Sequence, residues 1–111
     1  MWTLLEALKI VRMLQPVIRP MGYHITLGGG VLNKGISKKD LDLFILRCNN
    51  TEREESFSVI VAVSKTLKQT REVLTSRPLR DSPDYGPDED FHFKQAYMFM
   101  LGDRRIDVFV Q

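Results

Sequence analysis

Three aspartates stand where carboxylates could act together. Asp40 and Asp42 open the apolar run KDLDLFIL, and Asp107 sits inside the later run RRIDVFV. On an extended strand, residues two apart project from one face, so Asp40 and Asp42 would stand roughly 6–7 Å apart, two rises of about 3.3 Å. Charges that close repel unless water screens them or a cation neutralises them. Convergent carboxylates with open positions suit Mg²⁺, a hard cation that takes oxygen ligands and shares its shell with substrate phosphates. Two such ions roughly 3.5–4 Å apart can polarise a phosphoryl group and activate an incoming hydroxyl.

The residues upstream fit the same chemistry. Gly28-Gly29-Gly30 would let backbone approach a ligand with no Cβ in the way. A short helix starting at Val31 or Leu32 would turn its free N–H groups toward phosphate. Lys34, Lys38 and Lys39 lie on the same connection and could neutralise phosphate charge. Each piece has an ordinary reading as well. A glycine run is commonly a turn, a D-x-D a solvated strand face, and lysines between strands a wet loop. Asp107 could be a surface strand residue paired with Arg105.

The surrounding pattern says what must position these groups. Thr3-Leu4-Leu5-Glu6 reads as a capping box, and Leu4, Leu8, Val11, Leu14 and Ile18 follow at helical spacing. Pro16 should kink or end this helix, and Pro20 with Gly22 stops any continuation. Tyr23 to Leu27 reads as a strand entering the glycines. From Asp40 to Arg47, Leu41, Leu43 and Ile45 point one way and Asp40, Asp42 and Phe44 the other, the alternation of a strand with one face on a core. Thr51-Glu52-Arg53-Glu54 reads as a second capping box opening a helix over about 52–75, although the patch Ser58 to Val63 is also β-prone.

Ser76 to Asp90 carries Pro78, Pro83, Pro87, Gly86 and five acidic residues, so it reads as a long loop, either a lid or a solvated segment. Phe91–Leu101 and Arg104–Gln111 read as a hairpin closed by Gly102-Asp103, a type II′ pattern. That register pairs Met98 with Asp107 and places Asp107 beside Arg105 and Phe109. If the hairpin packs beside the Asp40 strand, the three aspartates converge.

With 111 residues the chain suits one domain, 1–111, with a single modest core. Its 43% apolar and 27% charged residues match a soluble globular protein. A net charge of +2 is too small to argue by itself for nucleic acid or an anionic membrane. One cysteine, Cys48, leaves no internal disulfide framework and suits a reducing compartment. Glu6, Lys9 and Arg12 interrupt the apolar N-terminus, so neither a signal segment nor a membrane span is expected. Without a secretion signal, the sequon at Asn49 carries no weight. The expected location is cytoplasmic.

Strand, glycine turn, D-x-D strand and a third carboxylate on a later strand together resemble the nucleotidyltransferase superfamily typified by DNA polymerase beta. The likeness runs through the whole chain in element order. It implies an α+β fold, a small mixed β-sheet backed by helices. It also implies a Mg²⁺-dependent transfer, with two ions and Mn²⁺ able to substitute, of a nucleoside monophosphate from a nucleoside triphosphate such as ATP to a hydroxyl, releasing pyrophosphate. By that resemblance Asp40 and Asp42 hold both metals, while Asp107 completes the second site and helps deprotonate the acceptor. Gly28, Gly29, Gly30 and Lys34 bind the triphosphate.

The chain departs from the pattern in places. Glycine stands where many members have serine in the turn, and Lys39 precedes the first aspartate where serine or threonine is common. There is also no room for the second domain that holds base and acceptor in most members. The chain looks most like minimal single-domain members, several of which act with a partner protein in toxin–antitoxin systems. The acceptor could be tRNA, a protein or a small molecule. A different class of function, a nucleotidyltransferase-like module that binds nucleotide or protein without transfer, fits the same residues.

Overall fold

The structure is a computed structural model that describes residues 2–28, 36–37, 40–48, 54–70, 72, 74–79 and 93–111. Its order is β1 (Trp2–Thr3), α1 (Leu4–Ile18), a 3₁₀ turn (Arg19–Met21), β2 (Tyr23–Gly28), β3 (Ile36–Ser37), β4 (Asp40–Arg47), α2 (Ser56–Leu67), β5 (Leu74–Pro78), β6 (Gln95–Leu101) and β7 (Arg104–Val110). The main sheet runs β2-β4-β7-β6-β5, mixed because only β4 and β7 are parallel. This is the expected small mixed sheet backed by helices. No helix among the described residues is long and apolar enough to cross a membrane.

One face of the sheet builds the core. Leu41, Leu43 and Ile45 of β4, Ile106, Val108 and Val110 of β7, and Phe99 and Leu101 of β6 are buried in one cluster with both helices. α1 contributes Ala7, Ile10, Leu14 and Ile18, and α2 contributes Val59, Ile60, Val63 and Leu67. The period-two alternation of the strands therefore separates this apolar layer from a second face that carries Asp40, Asp42, Arg105 and Asp107.

The first capping box forms as read. Thr3 Oγ1 accepts from Glu6 N–H at 3.2 Å, and the Glu6 carboxylate accepts from Thr3 N–H at 3.2 Å. The buried stripe of α1 is Ala7, Ile10, Leu14 and Ile18, however, and Leu4 is exposed. Trp2 decides this rotation. It is buried, its Nε1–H donates to the Arg105 carbonyl at 2.9 Å, and it pins the helix start against β7. Nor does the helix end at Pro16, because Leu14 and Ile18 are both buried and their packing carries the last turn past the missing N–H. It stops through the 3₁₀ turn at Gly22, where φ is 92°.

The second helix corrects the reading of 52–75. It begins at Ser56 with Glu55 as N-cap and no side-chain cap, so Glu54 stands ahead of the helix and not in its first turn, and residues 51–53 of the expected capping box lie outside the described residues. Glu54 instead donates its N–H to the Met21 carbonyl and accepts from the Tyr23 hydroxyl at 2.9 Å. The β-branched patch is helical because Val59, Ile60, Val63 and Leu67 fall on one stripe facing the core. After Leu67 the chain turns, and Leu74 pairs with Leu101 in β5, an edge strand that also takes Ser76 to Pro78 out of the expected loop. Local propensity gave no sign of β5, since its exposed Thr75-Ser76-Arg77-Pro78 is ordered by hydrogen bonding to β6. The remaining loop residues, 80–90, lie outside the described residues, as do Phe91 and His92 of the expected strand, which is seen from Gln95, and the helix start expected near Val31.

The hairpin follows the expected register, Leu101 with Arg104 through Gln95 with Val110, and Gly102 has the positive φ, 65°, of a primed turn.

Candidate active site

β4 and β7 lie side by side at the centre of the sheet with Asp42 opposite Asp107 and Asp40 opposite Arg105. Adjacent strands are about 4.8 Å apart, so the Asp42 and Asp107 carboxylates leave the backbone as near neighbours. β2 continues the row, because Gly28 pairs with Asp42. Gly28, Asp42 and Asp107 thus form one line across three strands. Gly29, Gly30 and Lys34 fall outside the described residues.

The two carboxylates sit in different surroundings. Asp107 is only 2% exposed, and Arg105 Nε donates to its Oδ1 at 2.8 Å. This corrects the picture of Asp107 as a surface residue while keeping its pairing with Arg105. The same Nε lies 3.6 Å from Asp40 Oδ2, so one guanidinium spans both. Asp42 is pushed up to about 6, chiefly by burial, then by the Asp107 charge and the more distant Asp40 charge, with Arg105 opposing. Crowded like charges at a half-buried site are what a cation would relieve.

As the side chains stand, among the described residues no group of three or more His, Cys, Asp or Glu could hold a metal ion. The Arg105 guanidinium lies between Asp40 and Asp107. Two carboxylates at one register position remain an oxygen donor pair that suits Mg²⁺. Arg105 is the site residue not assigned a part from sequence, although its spacing of two from Asp107 put both on one face.

Gly28 has a packing reason to be glycine. A Cβ there would collide with Cε2 of Phe44, the residue two beyond Asp42. The Phe44 ring is held in turn by Phe109, stacked at 5.1 Å between centroids, and by Phe93 at 5.6 Å. An aromatic cluster therefore flanks the acidic row on one side.

The start of β7 is anchored from the other side. Arg104 pairs with Glu6 and with Glu72, and its guanidinium carbon lies 4.2 Å from the centre of the Trp2 ring. Trp2 also pairs with Ser37 in the short β1–β3 ladder.

No protein-family model matches the chain, and no curated protein matches it in sequence.

Proposed function

We propose that the protein is a metal-dependent nucleotidyltransferase that moves a nucleoside monophosphate from a nucleoside triphosphate to a hydroxyl on RNA, a protein or a small molecule. One observation carries the reading: Asp42 and Asp107 face each other on the central parallel strands, with Gly28 next in the row. The resemblance of KDLDLFIL and RRIDVFV to the superfamily's carboxylate strands supports it.

In this reading Asp40, Asp42 and Asp107 are the metal ligands. Bound Mg²⁺ would supply charge neutralisation for the triphosphate and for the attacking oxygen. Asp107 would also accept the acceptor's proton as the hydroxyl oxygen bonds to the α-phosphorus and the bond to pyrophosphate breaks. Gly28 to Gly30 would bring backbone to the phosphates, with Lys34 adding charge. A cytoplasmic setting agrees with the single cysteine.

The Arg105 bridge favours a second reading, a nucleotidyltransferase-like module that binds nucleotide or a partner protein without transfer. A guanidinium tied to two of the three carboxylates already balances their charge. The two readings part on one experiment. Cell lysate is incubated with the pure protein, Mg²⁺ and each of the four triphosphates labelled at the α-phosphate. Label on a discrete species, lost with Asp42→Asn and with Asp107→Asn, supports transfer. No label with any nucleotide sinks transfer and leaves the binding module.

A further inference from the structure

At the far end of β4 and β7 the sheet opens into a cleft of about 360 Å³ lined by Arg47, Phe93, Lys94 and Gln111. Arg47 is five residues beyond Asp42 on the same strand, so its backbone stands about 16 Å from Asp42, while Phe93 reaches back toward the acidic row through Phe44.

The walls are well fixed. Lys94 N–H donates to the Val110 carbonyl at 2.8 Å, Gln111 N–H to the Ile45 carbonyl at 3.1 Å, and Arg47 N–H to Gln111 Oε1 at 2.9 Å. Phe93 is held by its contacts with Phe44 and Phe109, each 5.6 Å between ring centres. The functional ends are not used up in the same way. Arg47 Nε is buried without a hydrogen-bond partner among the described residues, and so is Gln95 Oε1, in the row of Ile45 and Val110 at the same end of the sheet. Neither Arg47 nor Lys94 makes an ion pair among the described residues. With Nε closed off by burial, a ligand in the cleft would meet the terminal nitrogens of the Arg47 guanidinium.

The geometry points to a binding site for a nucleotide, with Arg47 and Lys94 on the phosphate and Phe93 against the base. A guanidinium fork matches phosphate oxygens, and an ammonium adds a point charge beside it. An aromatic ring next to cations is the pattern that takes a base by stacking, whatever its identity. Phosphate or a carboxylate alone would leave Phe93 without a part. The volume lies at the lower end of small-molecule sites, about 300–1,000 Å³. A free mononucleotide and the end of a single strand offer the same phosphate and base.

The test is three NMR titrations in EDTA, following the backbone amides of Lys94 and Gln111. The probes are adenosine monophosphate, a 5′-phosphorylated single-stranded hexanucleotide and inorganic phosphate. The nucleotide probes should shift these amides, and inorganic phosphate should bind at least about tenfold more weakly because it lacks the stacking base. Lys94→Gln, at an exposed position, should weaken nucleotide binding about tenfold by losing a charge-assisted contact, and Phe93→Leu by a similar factor. Asp42→Asn should leave it unchanged. Equal affinity for monophosphate and hexanucleotide assigns the site to free nucleotide, and a hexanucleotide at least tenfold tighter assigns it to a strand end. The inference is overturned if neither nucleotide shifts these amides, if inorganic phosphate binds as tightly, if Lys94→Gln changes nothing, or if Asp42→Asn abolishes binding.

Discussion

Asp42 and Asp107 occupy the same register position on adjacent parallel strands, so the Asp107 charge raises the cost of ionising Asp42. Arg105 breaks the symmetry. It donates to Asp107 and approaches Asp40, and the proton affinity accumulates on Asp42.

The first consequence is a pH dependence with a definite sign. The Asp42 carboxyl is raised from 3.8 to about 6 in the folded protein, so between these values the folded state holds more proton than the unfolded chain. This contribution favours folding most below about pH 4 and is lost as pH rises to about 6. Asp42→Asn should remove it, leaving the variant more stable above pH 6 by roughly 1–2 kcal/mol, a value already reduced for water screening at a half-buried site. Urea midpoints of both proteins across about pH 4 to 8 in EDTA check it. Parallel curves would mean that Asp42 is not under this strain.

Added Mg²⁺ should reverse the order. An ion bound only by the folded wild type adds RT ln(1 + [L]/Kd), about 1.4 kcal/mol at ten times its dissociation constant, a shift of several degrees in Tm for a domain of this size. Asp42→Asn and Asp107→Asn should gain less from Mg²⁺ or Mn²⁺. Thermal scans with and without the ions decide it, and an equal response in all three proteins counts against a metal site.

Arg105→Gln separates the two functional readings. Without the guanidinium, Asp42 should titrate higher still, because Arg105 opposes the rise, and the metal-free fold should weaken. If the carboxylates serve a cation, the variant should bind Mn²⁺ more tightly than wild type, since a competing positive charge has gone. Titration followed by the Mn²⁺ electron paramagnetic resonance signal measures this. Weaker Mn²⁺ binding would make Arg105 part of the site and not its competitor.

Gly28→Ala should destabilise the fold by about 1–3 kcal/mol, the usual cost of forcing atoms into a packed site, because its Cβ meets the Phe44 ring. In a Phe44→Leu background the penalty should shrink, and a double-mutant cycle should return a coupling of at least about 0.5 kcal/mol. Additive effects would show that the ring moves aside without cost.

Trp2 is the single tryptophan, so its emission reports on the anchor at β7. Arg104→Met removes the cation over the ring and the pairs with Glu6 and Glu72 while keeping an apolar stem. Because these pairs are partly exposed, the expected loss is about 1–2 kcal/mol. Melting followed by Trp2 fluorescence checks it, and an unchanged midpoint would show that the buried ring alone holds the N-terminus.

Much of this fold was written in local pattern. The alternation in DLDLFIL and RRIDVFV specified two strands and their buried faces, because a period of two leaves one registry that hides Leu41, Leu43, Ile45, Ile106, Val108 and Val110. Thr3 and Glu6 fixed the helix start, and Gly102-Asp103 fixed the hairpin register, since both act within a few bonds. Non-local contacts decided the rest. The burial of Trp2 against β7 rotated α1, packing carried that helix past Pro16, and pairing with β6 made a strand of Leu74–Pro78. The candidate site divides in the same way. Sequence placed Asp40 with Asp42 and Asp107 with Arg105 on their own strand faces. The parallel pairing of β4 with β7 brought Asp42 opposite Asp107, and it also set the Arg105 guanidinium between Asp107 and Asp40, a position that depends on two strands more than fifty residues apart in the chain.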